Sequence, residues 1–307
     1  MESSFFFAQW QNLTLRQESP LPEIHIALVG KYTRLQDSYL SVSKAIQHAA
    51  LYCKRKARLH YIQADLLEET ARDIDPVKFH DSWQTMCSSQ ALIVPGGFGQ
   101  RGTEGMITAI NWARTHDMPF LGVCLGMQLA AVEFARNKLG LADANSSELQ
   151  PESSNHIIIE MPEFNPVTKG GTMRLGKRRT IFTNKEDSVL WKLYGKPDVI
   201  DERHRHRYEI NPEYVTKLES EGMQFVGCDI DTHQRMEIME LKGHYYFVGC
   251  QYHPEYLTRP LKPSPPYLGL ILAATHKLSS YFAQGNRTHS PSNSLQSSDF
   301  ISWPLEF

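Results

Sequence analysis

Cys124 lies between two glycines, in Gly122-Val123-Cys124-Leu125-Gly126, after an apolar run and before residues spaced as a helix to about position 136. A thiol at such a strand-to-helix turn meets unpaired N–H groups and the positive end of the helix dipole, which favour the nucleophilic thiolate. Glycines two before and two after match the Gly-x-nucleophile-x-Gly elbow, where strand and helix approach too closely for side chains. A buried structural thiol is the other use of such a cysteine. A nucleophile also needs a base and a group that orients the base. In Gln251-Tyr252-His253-Pro254-Glu255, His253 and Glu255 are two apart and project to one side of an extended segment that Pro254 stiffens. His253 can take the thiol proton and return it to a leaving amine, while Glu255 fixes the imidazole tautomer. A surface histidine beside an exposed glutamate would look the same. Gly96-Gly97, after Pro95, can offer an N–H to a developing oxyanion together with the Leu125 amide, or can simply turn the chain.

These groups need elements to hold them. The apolar run at 24–30 reads as a strand covered on both faces, and Val42, Ala45, Ile46, Ala49 and Cys53 predict a helix over 38–53. Strands are expected at 59–62 and 91–94, a helix at 103–115, then the strand before Cys124. This alternation predicts an α/β fold, a doubly wound and mostly parallel sheet with helices on both faces, whose ligands bind beyond the carboxyl ends of the strands. Gly30-Lys31 lacks the pattern of a phosphate-binding P-loop. In the second half, 173–175 and 179–182 are expected to form a hairpin about Gly176-Lys177, with its basic residues exposed, and 203–210 a strand. Strands at 224–230, 235–241 and 245–251 complete an antiparallel extension, followed by a helix over 267–282. Residues 1–22 read as a poorly ordered lead-in, 23–284 as one domain and 285–307 as a disordered polar tail.

With 307 residues, 41% of them apolar, the chain can bury a large core. A net charge of −2 speaks against a nucleic-acid or acidic-membrane partner, and no apolar run is long enough to cross a bilayer. Five scattered cysteines without CxxC spacing indicate neither disulfides nor a zinc site, and suit a reducing, cytoplasmic setting. Alternation puts Arg203, Arg205 and Arg207 on one face of their strand and His204 and His206 on the other; without a third ligand nearby, packing and ion pairing are expected rather than a metal.

Glycine loop, cysteine elbow and His-x-Glu, in this order, resemble the class I glutamine amidotransferases. Further motifs narrow the resemblance, over roughly residues 24–283, to the glutaminase domains of the CTP synthase family, of eukaryotic type. They are Pro95-Gly96-Gly97-Phe98-Gly99 with Arg101-Gly102, Gly122 to Ala130, Asp143-Ala144-Asn145-Ser146-Ser147-Glu148, Gly170 to Gly176, Glu202 to Glu209 and Tyr252-His253-Pro254-Glu255. The resemblance implies that Cys124 attacks the side-chain amide of L-glutamine, with His253 as base and Glu255 as its orienter. It implies that Gly97 and Leu125 hold the oxyanion, that Gly126, Met127 and Gln128 line the pocket, that Glu148 grips the α-amino group and that Arg207 meets the α-carboxylate. Thr172, Met173 and Arg174 would form a lid linked to allosteric activation by GTP, with Phe98 on the GTP surface. No cofactor is expected in this domain. ATP, Mg²⁺ and UTP belong to a synthetase domain that has no counterpart in the sequence, so the chain is expected to be a piece or truncated form of a larger protein. Its expected partners are glutamine, a synthetase domain in cis or in full-length subunits, and further copies in an oligomer or filament. It would act as the glutaminase half or, alternatively, as a non-catalytic assembly module; another class I amidotransferase is a further alternative.

Overall fold

The computed structural model describes residues 7, 10, 11, 13–15, 18, 20–162 and 173–286; those of them before residue 20 are helical. The rest of the expected lead-in, Thr172, and the tail from 287 lie outside the described residues.

Among the described residues, twelve strands follow in chain order: β1 Glu23–Gly30, β2 Lys56–Gln63, β3 Ala91–Val94, β4 Phe120–Val123, β5 Asn145–Ser146, β6 His156–Glu160, β7 Arg174–Phe182, β8 Val199–His206, β9 Tyr208–Ile210, β10 Met223–Asp229, β11 Met236–Leu241 and β12 Phe247–Cys250. Nine form one sheet in the order β2-β1-β3-β4-β12-β11-β10-β7-β8. Pairing is parallel from β2 through β12 and antiparallel from β12 to β8. The last strand in sequence therefore inserts beside β4, in the middle of the sheet. β5, β6 and β9 make a smaller sheet alongside.

Alternation along β1 explains the two layers. Ile24, Ile26 and Leu28 join a core with the helices Leu40–Tyr52 and Pro265–Ala274; Ala27 and Val29 join the opposite core with Thr103–Thr115 and Leu125–Lys138. Each fully buried Ile or Leu contributes about 1.5–3 kcal/mol, so the two-sided burial of the central strands dominates the energetics of this half. This is the doubly wound arrangement, with its antiparallel extension, that the sequence predicts.

Three local expectations are corrected. β7 is one continuous strand through Gly176, paired from Arg174↔His206 to Ile181↔Val199 with β8, so Gly176-Lys177 is not a turn. Gly176 has φ +86, which lets the backbone bend without breaking the ladder. The expected 203–210 strand changes sheet: β8 ends at His206 and β9 starts at Tyr208, leaving Arg207 at the crossing. The C-terminal helix stops at Ala274. His276 takes φ +54, Lys277 N donates to Leu272 O (2.7 Å) and His276 N to Ala273 O (2.9 Å), a Schellman-type stop before a new helix, Leu278–Ala283. The helices Glu69–Ile74, Pro76–Ser88, Val189–Leu193 and Pro212–Ser220 were not predicted. Asn211, whose side chain accepts from Glu213 N (3.1 Å), and Pro212 at the first helical position were the signal for the last of these. Among the described residues no helix is long and apolar enough to cross a membrane.

Candidate active site

Register places the three chemical segments together. Val94 pairs with Gly122 and Cys250 with Val123, so the chain leaves β3, β4 and β12 at one level as Pro95-Gly96-Gly97, Cys124 and Gln251-Tyr252-His253. Cys124 caps the helix Leu125–Lys138 with φ +53 and ψ −103, a conformation that costs a non-glycine residue roughly 1–3 kcal/mol. It is held there by hydrogen bonds from its own N–H to Cys250 O (2.7 Å) and from Gln128 N to its carbonyl (3.2 Å). The flanking glycines permit the tight turn: a Cβ on Gly126 would lie 2.0 Å from Val94 O, and one on Gly122 2.7 Å from the Gly126 carbonyl group.

His253 stands between the thiol and a carboxylate. Its Nδ1 is 2.8 Å from Glu255 Oε1, and Tyr267 donates to Glu255 Oε2 at 3.4 Å. The other edge of the ring lies beside Cys124, whose charge acts on the imidazole. Gly96 makes room, since a Cβ there would sit 2.9 Å from His253 Cε1 and 3.5 Å from Cys124 Cβ. Burial disfavours a charged imidazole, but Glu255 and Cys124 together outweigh it and raise the His253 pKa well above the usual histidine value. The sulfur has two further polar neighbours, Gln251 Nε2 at 3.6 Å and Arg205 O at 3.8 Å. Gln128 Nε2 donates to Tyr208 O (3.0 Å) and Gln251 Oε1 (3.1 Å).

A second cluster lies across the glycine loop. A Cβ on Gly97 would touch both Leu125 Cδ2 (3.4 Å) and the Lys31 stem (3.3 Å). Lys31 is only 3% exposed, donates from Nζ to Gly99 O, and has its own carbonyl held by Arg101. Burial lowers the Lys31 pKa to about 8 against the opposing pull of Glu148. Burial raises the Glu148 carboxyl above the ordinary range, against the opposing pull of the Gly99 backbone and of the Lys31 and Arg207 charges. The sequence-predicted residues Cys124, Leu125, Gly126, Gln128, Gly97, Glu148, Arg207, His253 and Glu255 thus gather at the carboxyl ends of β3, β4 and β12 and the loops beside them.

Others are placed differently. The Met127 side chain is fully buried in the core under Gly249, where a Cβ would lie 2.8 Å from Met127 Cγ. Arg174 was expected on an exposed hairpin; instead it is buried within β7, on Glu237 Oε1 at 3.0 Å. Met173 is half-buried just before it. Phe98 is 44% exposed, with the Arg205 guanidinium 5.7 Å from its ring centroid. His204 and His206 are buried, 3.1 Å apart, and burial pushes their pKa values down to about 2 and about 3, so neutral imidazoles pack this face while Arg203 and Arg205 point outward. Lys31 and Gln251 have no site role among the sequence expectations. Lys31 follows a strand and Gln251 adjoins His253, but only tertiary contacts distinguish them from surface polar residues.

A family model described as "Glutamine amidotransferase class-I" matches residues 34–273. The chain belongs to this family. The amidotransferase is 55% identical over 95% of its length to CTP synthase of Drosophila melanogaster and 54% identical over 91% to CTP synthase 1 of Homo sapiens, covering 46% and 47% of those proteins. The chain therefore spans about half the length of these relatives. Among solved structures, the glutaminase domain of Trypanosoma brucei CTPS with bound acivicin superposes with a TM-score of 0.75 at 32% identity, covering 83% of this chain and 94% of that one. The match to this domain over nearly its whole length makes the chain a glutaminase domain of the CTP synthase type.

Proposed function

We propose that this chain hydrolyses L-glutamine to glutamate and ammonia through Cys124, His253 and Glu255. The observation that carries the reading is the placement of His253 between Glu255, at 2.8 Å, and the Cys124 side chain, at the mouth of three adjacent parallel strands. The Cys124 thiolate attacks the side-chain amide carbon, and the resulting oxyanion is held by the Leu125 amide and the Gly97 backbone. His253 protonates the departing nitrogen; ammonia leaves and a γ-glutamyl thioester remains. The same imidazole then takes a proton from water, which opens the thioester to glutamate and restores the thiol. Glu255 keeps Nδ1 protonated and supports the imidazolium at each step. Glu148 receives the α-ammonium and Arg207 the α-carboxylate, a task suited to a guanidinium fork.

The 54–55% identity to CTP synthases supports a destination for the ammonia. In the larger protein it would aminate UTP to CTP, driven by ATP and Mg²⁺ in a synthetase domain in cis or in a neighbouring subunit, in the cytoplasm and within an oligomer or filament. GTP would act as an allosteric activator at the rim, near Phe98 and the segment containing Thr172, Met173 and Arg174. Acivicin, bound by the Trypanosoma brucei domain, would enter the same pocket here. Glutamine hydrolysis by Cys124→Ala, measured as ammonia release from a folded protein, is expected to fall to background. Turnover retained at the parent rate would overturn the reading.

A further inference from the structure

Gln251 is not one of the three groups assigned to the chemistry, yet its amide touches the reacting sulfur. Its position is fixed from both sides. The β4–β12 register brings it level with Cys124, and its N–H donates to Glu237 O at 2.9 Å on the neighbouring strand β11. Its side chain is shut away from water, with the residue 1% exposed and its partner Gln128 5%.

The orientation of the amide follows from a backbone carbonyl two residues away in the hydrogen-bond chain. Tyr208 O is an acceptor only, so the Gln128 group 3.0 Å from it must be the NH₂ end. The other hydrogen of that NH₂ meets Gln251 at 3.1 Å, so Gln251 presents its oxygen there. What remains to face Cys124 Sγ, 3.6 Å away, is the Gln251 NH₂. The opposite side of the sulfur faces the Arg205 carbonyl at 3.8 Å, which can accept a proton from a thiol but only repel a thiolate. A donor at the Gln251 position therefore does different work in the two states: it adds little to the neutral thiol and is charge-assisted once the proton has passed to His253.

We infer that Gln251, aimed by the Gln128–Tyr208 relay, donates its amide N–H to the Cys124 thiolate and so holds the nucleophile in its reactive form. The inference rests on Cys124 being the reacting thiol, and its test reads the sulfur without glutamine. The rate of iodoacetamide alkylation is followed against pH on the Cys124 peptide by mass spectrometry, because Cys87 is exposed and reacts as well. In Gln251→Met, which keeps the volume and removes the donor, the midpoint of the alkylation profile is expected to rise by about one pH unit, with about tenfold slower alkylation on the acid side. Gln251→Glu, which points a carboxylate at the sulfur, should move it further in the same direction. Gln128→Met leaves Gln251 in place but frees its amide to turn, and should give a smaller shift of the same sign; it also serves if Gln251→Met does not fold. Midpoints that stay where they are in the folded variants, with any loss of rate uniform across pH, would mean that Gln251 only packs, and would overturn the inference. Failure of Cys124→Ala to abolish hydrolysis would instead overturn the nucleophile, independently of these profiles.

Discussion

At the scale of residues, the site works by fixing proton positions. Glu255 touches His253 at Nδ1, so Nε2 is the nitrogen left for the thiol. Glu255→Gln keeps the volume but loses the negative charge that holds the imidazolium and the acceptor that is always available to Nδ1–H. Glutamine turnover is expected to drop by about 100-fold or more, within the range for general acid–base catalysis, while the KM for glutamine changes little because Glu255 does not reach the substrate. A raised KM with unchanged kcat would contradict this division of roles. The chemistry-bearing residue types were legible in the sequence because Gly-x-Cys-x-Gly and His-x-Glu are local patterns. Gln251 was not, because its importance lies in which end of an amide faces a sulfur, and that is settled by Tyr208, 43 positions away in the chain. Lys31 was weighed only as part of a phosphate loop, whereas its stem and ammonium brace the glycine loop from beneath.

At the scale of elements, the elbow depends on how closely β3 and the helix Leu125–Lys138 approach. Two effects compete in Gly126→Ala. Alanine favours a helix by about 1 kcal/mol over glycine, but the added Cβ would sit 2.0 Å from Val94 O, a backbone atom inside a fully buried strand that cannot yield cheaply. Overpacking of a tight core costs about 1–3 kcal/mol and here also displaces Cys124. The clash should win, so the urea midpoint is expected to fall and alkylation of Cys124 to slow; a variant more stable than the parent would contradict the packing. β1, β3 and β4 were readable because strands buried on both faces are continuous apolar runs. The expected hairpin within β7 is absent because Gly-Lys marks a turn only if the strand folds back on itself, and β7 pairs instead with β8, which starts 17 positions beyond its end. Likewise 245–251 was placed in an antiparallel extension, while β12 lies antiparallel to β11 and parallel to β4. Local sequence does not carry that second partner, although it is the one that delivers His253 to Cys124.

At the scale of the whole molecule, buried ionisable groups tie stability to pH. Burial raises Glu202 to about 8, with the Tyr194 hydroxyl donating to it at 2.8 Å. An acid whose folded pKa exceeds its unfolded value holds its proton longer when folded, so stability falls as pH rises from about 4.5 to about 8. His253, also raised, acts in the same direction above its ordinary value of 6.5. Below 6.5, His204 and His206, lowered to about 2 and about 3, act oppositely, because unfolding lets them bind protons. Between pH 6.5 and 8 only the first two oppose folding among these four, and stability should decline across that window. Glu202→Gln, a permanent mimic of the neutral acid, is expected to flatten the decline without removing the part due to His253. Thermal unfolding at pH 6.5 and 8 measures it, and an unchanged slope would show that Glu202 does not titrate there. The same scale holds the functional question, since the chain covers about half of its CTP synthase relatives and its proposed product is ammonia for chemistry elsewhere. The central claim is nevertheless local to one sulfur. Mixing the chain with glutamine, quenching in acid within one turnover and mapping adducts by mass spectrometry should show a γ-glutamyl group on Cys124 and on no other cysteine; glutamine hydrolysis with Cys124 unmodified throughout would contradict the account.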